Sequence, residues 1–216
     1  STVSGALSHS ADIAIDVAAG KILTYSGTSI DVGANTLTLS GGGSFLSGGV
    51  TLNNADSKLL LNSITLDNVS TSADSSGLDV GLDSTVTSLS VGHITPVSIA
   101  PTKTLSGGVT VTAGSLKLNE TGMLASNVSM SGGVLDADET TTVSGVLTQS
   151  GDTTIDIADN KTLTYSGAAI GVGANTLTLS GGGSLVSGGI TLNNADSKLL
   201  LNSITLDSVG TSLSSL

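Results

Sequence analysis

The chain has no cysteine, no tryptophan and no arginine, and it holds one phenylalanine and two tyrosines. Without Cys there is no disulfide scaffold and no thiolate metal site. Aromatic residues make up 1% of the chain against 38% hydrophobic overall. A length of 216 residues is enough for one compact core, and such cores draw much of their buried area from rings. Here Val, Ile, Leu and Ala must do the burying, which suits a narrow interior repeated layer upon layer. All six basic residues are lysines, at 21, 58, 103, 117, 161 and 198, against 17 acidic ones, for a formal net charge of −11. The dense positive charge that nucleic acid or an anionic bilayer surface requires is missing. No apolar run approaches the roughly 18 residues of a membrane span, so no membrane insertion by this segment is expected. A positive mean hydropathy, rich in aliphatic residues, argues against disorder.

What the sequence does have is repetition. Residues 2–72 align without gaps on 142–212, with roughly three quarters of positions identical. Residues 51–67 (TLNNADSKLLLNSITLD) recur unchanged at 191–207. The chain therefore divides into a repeat unit (2–72), a dissimilar middle (73–141) and the unit again (142–212). It reads as one segment, 1–216, of a longer tandem array. A finer beat of Ser-Gly or Ser-Asn steps falls at Ser4, Ser26, Ser47, Ser106, Ser126, Ser144, Ser166 and Ser187. Where the beat is clear, the steps lie about 18 to 22 residues apart, within the range of solenoid coils.

Between the steps stand short runs that alternate apolar and polar residues, the mark of half-buried strands. One coil gives Val50-Thr51-Leu52, Lys58 to Leu61 and Ile64-Thr65-Leu66; another gives Val109-Thr110-Val111, Leu116-Lys117-Leu118 and Met123-Leu124. Three strands per coil predict an all-β, right-handed parallel β-solenoid (β-helix) with roughly triangular coils, the hand following the general rule for parallel crossovers. A sandwich would also use short strands, but its hairpins favour Asn-Gly turns, and the chain contains none. Nor are there side chains to fill a core about 10 Å thick. Solenoid corners need residues that tolerate a left-handed backbone, and 29 glycines with Asn53, Asn54 and Asp56 supply them.

Three runs carry a family likeness: Lys21-Ile22-Leu23-Thr24-Tyr25-Ser26-Gly27, the stretch Ala34-Asn35-Thr36-Leu37-Thr38-Leu39-Ser40 with its three following glycines, and Ser106-Gly107-Gly108-Val109-Thr110-Val111. They resemble the repeats of bacterial autotransporter passengers and haemagglutinin-like adhesins. The resemblance implies a β-helical, exported, cell-surface protein engaged in adhesion or in an extracellular fibre. It brings no catalytic motif with it.

Asp136, Asp138 and Glu139 form the densest acidic cluster. Asp136 and Asp138 share one side of a strand, the arrangement from which a hard cation such as calcium could be held. The competing reading is a solvated corner, because the ligand count is short and neither an EF-hand loop nor a calcium-binding nonapeptide is present. Asp79 and Asp83 are weaker candidates. Asp136 with Asp138 is also the one local carboxylate pair suited to glycoside hydrolysis, but a surface without Trp or Arg has little to grip a glycan, so no enzyme is expected. His9 and His93 stand alone, and His9 is replaced by Gln149 in the second unit. The runs Gly41-Gly42-Gly43 and Gly181-Gly182-Gly183 lack the helix and lysine of a phosphate cradle and read as corners. Thr36/Thr38, Thr110/Thr112 and Thr176/Thr178 have the spacing of ice-binding faces but do not recur coil after coil.

The expectation is therefore a structural protein, extracellular or at the cell surface: a stiff fibre, sheath or matrix filament that needs no cofactor. Open ladder edges would let it self-associate end to end. The alternative is an adhesin stalk that carries a distal domain towards a host or neighbour-cell ligand. In that case the middle, which breaks the repeat and holds Pro96 and Pro101, is where an adhesive surface would lie.

Overall fold

Alternation of apolar and polar residues becomes alternation of buried and more exposed ones in strands such as Thr36–Ser40, Val109–Ala113 and Thr153–Ile157. The computed structural model describes residues 1–216 apart from 6, 28, 55, 72–76, 81–84, 93–96, 100–107, 119–120 and 212–216; for 71, 77–80, 85–92 and 97–99 it describes the backbone alone. Among the described residues there is no helix, and every named strand pair is parallel. The chain is a parallel β-solenoid.

Strands fall into three columns; the long strands Thr65–Thr71 and Thr85–Gly92 each run through the second and third. The first column runs through Ile13–Asp16, Thr36–Ser40, Lys58–Asn62 and Gly77–Val80. It resumes with Val97–Ile99, Ser115–Leu118, Val134–Ala137, Thr153–Ile157, Thr176–Ser180 and Lys198–Leu201. The second column includes Val50–Leu52, Val109–Ala113, Val128–Met130 and Leu147–Gln149. The third includes Ile22–Tyr25 and Ser44–Ser47 in the first unit, then Thr141–Val143, Thr162–Tyr165 and Ser184–Val186. Register partners lie from 19 residues apart (Val50 opposite Val69) to 24 apart (Ile13 opposite Leu37). Some coils thus exceed the expected 18 to 22 residues, because equivalent corners differ in length: five residues separate Asp16 from Ile22, but three separate Ser40 from Ser44 one coil on.

Inward side chains stack as ladders along the axis. Leu116, Leu135, Ile155 and Leu179 follow one another in register, all buried. The three aromatic residues join this core. Phe45 stacks between Leu23 and Leu66, and its counterpart Leu185 is equally buried, both at 1% exposure. Since the second unit already uses Leu here, Phe45→Leu is expected to cost under about 1.5 kcal/mol, read from the urea midpoint. Tyr25 and Tyr165 close the third-column strands from inside, and their hydroxyls accept the Leu7 and Leu147 amides at 3.1 and 3.2 Å. A phenol serves where an aliphatic side chain would leave a backbone N–H unpaired.

The corners explain substitutions between the units. Gly20 has φ +69°, and Asn160 takes its place at φ 61°; Asn is the non-glycine residue that best tolerates this left-handed region. At 54–57 the sequence builds its own brace: the Asp56 amide donates to Asn54 Oδ1 at 3.0 Å and the Asn54 amide to Ser57 Oγ at 3.1 Å. Ser57 Oγ in turn donates to the Gly33 carbonyl one coil away. Asn194, Asp196, Ser197 and Gly173 repeat the arrangement.

Candidate functional site

The acidic cluster forms where the first column passes from the middle into the second repeat unit. Parallel register puts Lys117, Asp136, Asp156 and Ser180 in one outward ladder. Lys117 Nζ lies 2.7 Å from Asp138 Oδ2 and 3.3 Å from Asp136 Oδ2, so one ammonium serves both carboxylates. Glu139 faces the next coil instead, where Lys161 Nζ approaches Oε2 at 2.6 Å. Asp156 accepts the hydroxyl of Ser180, and Ser115 Oγ reaches Asp136 at 3.5 Å.

Three acidic residues within a four-residue span are thus divided between two lysines one coil away on either side. Burial raises the Asp136 carboxyl above its ordinary value, the Asp138 charge adds to this, and Lys117 opposes it. Lys117 is held above its own ordinary value, chiefly by its hydrogen bond to Asp138. Asp136 lies in the strand Val134–Ala137 and Asp138 just beyond its end, and the position between their carboxylates is filled by an ammonium. Among the described residues no three His, Asp or Glu side chains gather in a geometry that could hold a metal ion. Lys117→Met keeps the aliphatic stem and removes the cation. It is expected to lower the urea midpoint at pH 7 by the equivalent of about 1 kcal/mol, with the loss shrinking as the carboxylates protonate in acid.

The remaining candidates separate in space. His9 lies in a corner with Nδ1 3.0 Å from the Ala11 carbonyl, and its Nε2 is buried without a partner. Its counterpart Gln149 spans to the next coil, donating to the Thr176 carbonyl at 2.9 Å. His93 and Asp83 lie outside the described residues, as do Pro96 and Pro101, and Asp79 is described by its backbone alone. In the glycine triplets the Gly42 N–H donates to the Ser63 carbonyl at 2.6 Å, the Gly43 N–H to that of Val17 at 2.9 Å and the Gly183 N–H to that of Ile157 at 3.0 Å, so these amides are taken by the chain itself. Thr36 and Thr38 stand opposite Lys58 and Leu60, so the threonine pattern stops after one coil on that side. A shallow groove of about 410 Å³ crosses the first column over Gly133, Val134, Asp152, Thr154, Thr176 and Thr178. Its carboxylate, Asp152, accepts the Thr176 amide at 2.7 Å.

Sequence reasoning did not pair the acids with Lys117 and Lys161. The signal was present as a separation of 21 or 22 residues, one coil, between opposite charges.

Equivalent residues of the two units differ in exposure with their place in the stack. Leu61 and Leu201 occupy the same place in the identical stretch, yet Leu61 is 1% exposed and Leu201 is 52% exposed. Conversely, Val3 is 45% exposed while its counterpart Val143 is 1% exposed. No protein-family model matches the chain, and neither the curated proteins nor the solved structures compared with it give a match.

Proposed function

We propose that this chain is a structural segment of an extracellular or cell-surface assembly, a stiff rod that works by continuing its β-ladders rather than by catalysis. The observation that carries this reading is the register itself: among the described residues, parallel first-column strands follow one another coil upon coil from the middle into the second repeat unit and bury one continuous aliphatic ladder. A parallel edge lined with leucines is a template for another coil, so end-to-end stacking is the association a rod of such coils would make. Uniform layers suit a filament, whereas a binding site calls for one unusual layer. The resemblance to autotransporter-passenger and haemagglutinin-like repeats supports an exported location, the parallel-crossover rule supports a right-handed coil, and the three strand columns support a three-sided one.

Two measurements test the reading. Sedimentation of the purified chain across a wide concentration range should show rods that lengthen in steps; a monomer at the highest concentration would remove end-to-end stacking. Immunogold microscopy on the source cells, with antibody raised against the folded chain, should show label at regular intervals along continuous filaments. Label confined to short envelope projections would instead favour an adhesin stalk, and label found only in the medium would reopen a secreted enzyme.

A further inference from the structure

We propose that the Asp136–Asp156 stack is an acid-responsive brace, in which a protonated Asp136 donates to the Asp156 carboxylate and ties the middle of the chain to the second repeat unit. Asp136 belongs to the last first-column strand of the middle, and Asp156 to the first such strand of residues 142–212. Their Cα atoms are direct register partners, and adjacent strands lie about 4.8 Å apart. Two carboxylates directly opposite each other on a sheet repel, and a shared proton turns that contact into a hydrogen bond.

The charged surroundings are complete on all three strands. The strand before supplies Lys117, which is divided between Asp136 and Asp138. The residue just past the end of Asp136's own strand, Asp138, supplies a second carboxylate on the same ammonium. The strand after supplies Asp156, and Ser180 beyond it already donates to Asp156. Glu139 is turned to Lys161 and takes no part. Asp136, in register between Lys117 and Asp156 and more enclosed than Asp138 (15% against 43% side-chain exposure), is the group on which the shared proton belongs.

The direction of the effect follows from linkage. A carboxyl whose pKa is higher in the folded chain than in the unfolded one binds more proton when folded. Its contribution is fully present below the ordinary Asp value of 3.8 and is lost as pH rises through the higher folded value. Acidification therefore tightens this joint, the reverse of what salt-bridged carboxylates do.

Carbon-detected NMR titration of the Asp136 carboxyl in the full chain tests this directly, with urea midpoints as a second readout. In the wild type, Asp136 should titrate above the ordinary Asp range, and Asp156→Asn should move that midpoint down. Asp136→Asn, which supplies a permanent donor, should raise the urea midpoint at pH 7 and lose its advantage below pH 3.8. Asp136 titrating at or below the ordinary range, or a midpoint unmoved in Asp156→Asn, overturns the brace. So does an Asp136→Asn chain less stable than wild type at pH 7.

Discussion

Truncating Leu61 to Ala should destabilise the chain by about 2 to 5 kcal/mol, and the same change at Leu201 should cost less than about 0.5 kcal/mol in dilute solution. The two residues sit in seventeen-residue stretches of identical sequence, so local propensity, strand pairing and corner chemistry are matched. They differ in what lies above. Leu61 stands in register between Leu39 and Val80, while Leu201 has Leu179 on one side and, among the described residues, no strand on the other. In the covered copy the change leaves a cavity that a stacked ladder cannot collapse without shifting neighbouring coils. At the open end the same methyl groups already face water. Urea titrations followed by circular dichroism would check both, and equal costs would mean that the ends are not open in solution. If the rods stack, the cost at Leu201 should grow with protein concentration, because the lost contact is then one between chains.

Gly145→Val should be at least as damaging, at about 3 kcal/mol or more, or should prevent folding altogether. A Cβ at Gly145 would stand 2.1 Å from the Ser126 carbonyl oxygen and 2.7 Å from the Asn127 nitrogen. Both are backbone atoms of the coil below, and that backbone is pinned. The Val146 amide donates to Asn127 Oδ1 at 2.9 Å, and the Val128 amide to the Val146 carbonyl at 2.8 Å. Neither partner can give way without breaking the ladder on each side. Gly20→Asn is the control: nothing lies within 4 Å of a Cβ there, and the second unit already carries Asn160. That substitution should stay within about 0.5 kcal/mol. A thermal melt of Gly145→Val that matched the wild type would show that the corners are looser than their geometry implies.

The strands were legible because a two-residue period survives any corner chemistry. Val109-Thr110-Val111 and Leu116-Lys117-Leu118 lie in strands that bury the residues their alternation marks. Coil length was legible only approximately. Ser-Gly steps mark some corners, but the corners at 17–21 and 157–161 add residues without adding a step. The acidic cluster was visible as a run of charge, yet its neutralisation was not. Lys117 and Lys161 are neighbours of Asp138 and Glu139 only after the chain has made a full turn, and nothing local links them. The roles of the two tyrosines were hidden for a similar reason, since the amides that their hydroxyls accept lie 18 residues away.

The duplicated stretch also sets a problem for the chain while it folds. The Thr36–Ser40 strand pairs with Lys58–Asn62, but residues 198–202 offer it the same side chains in the same order. Nothing in the contact itself distinguishes right from wrong. The difference lies in the length of chain to be closed, 22 residues in one case and 162 in the other, which by loop entropy favours the near partner by about 1.8 kcal/mol, or roughly twentyfold. That margin is narrow enough for a minority of chains to skip the intervening coils and trap them as a bulged-out loop. A slow refolding phase that disappears when one copy of the stretch is recoded would be the mark of such slippage.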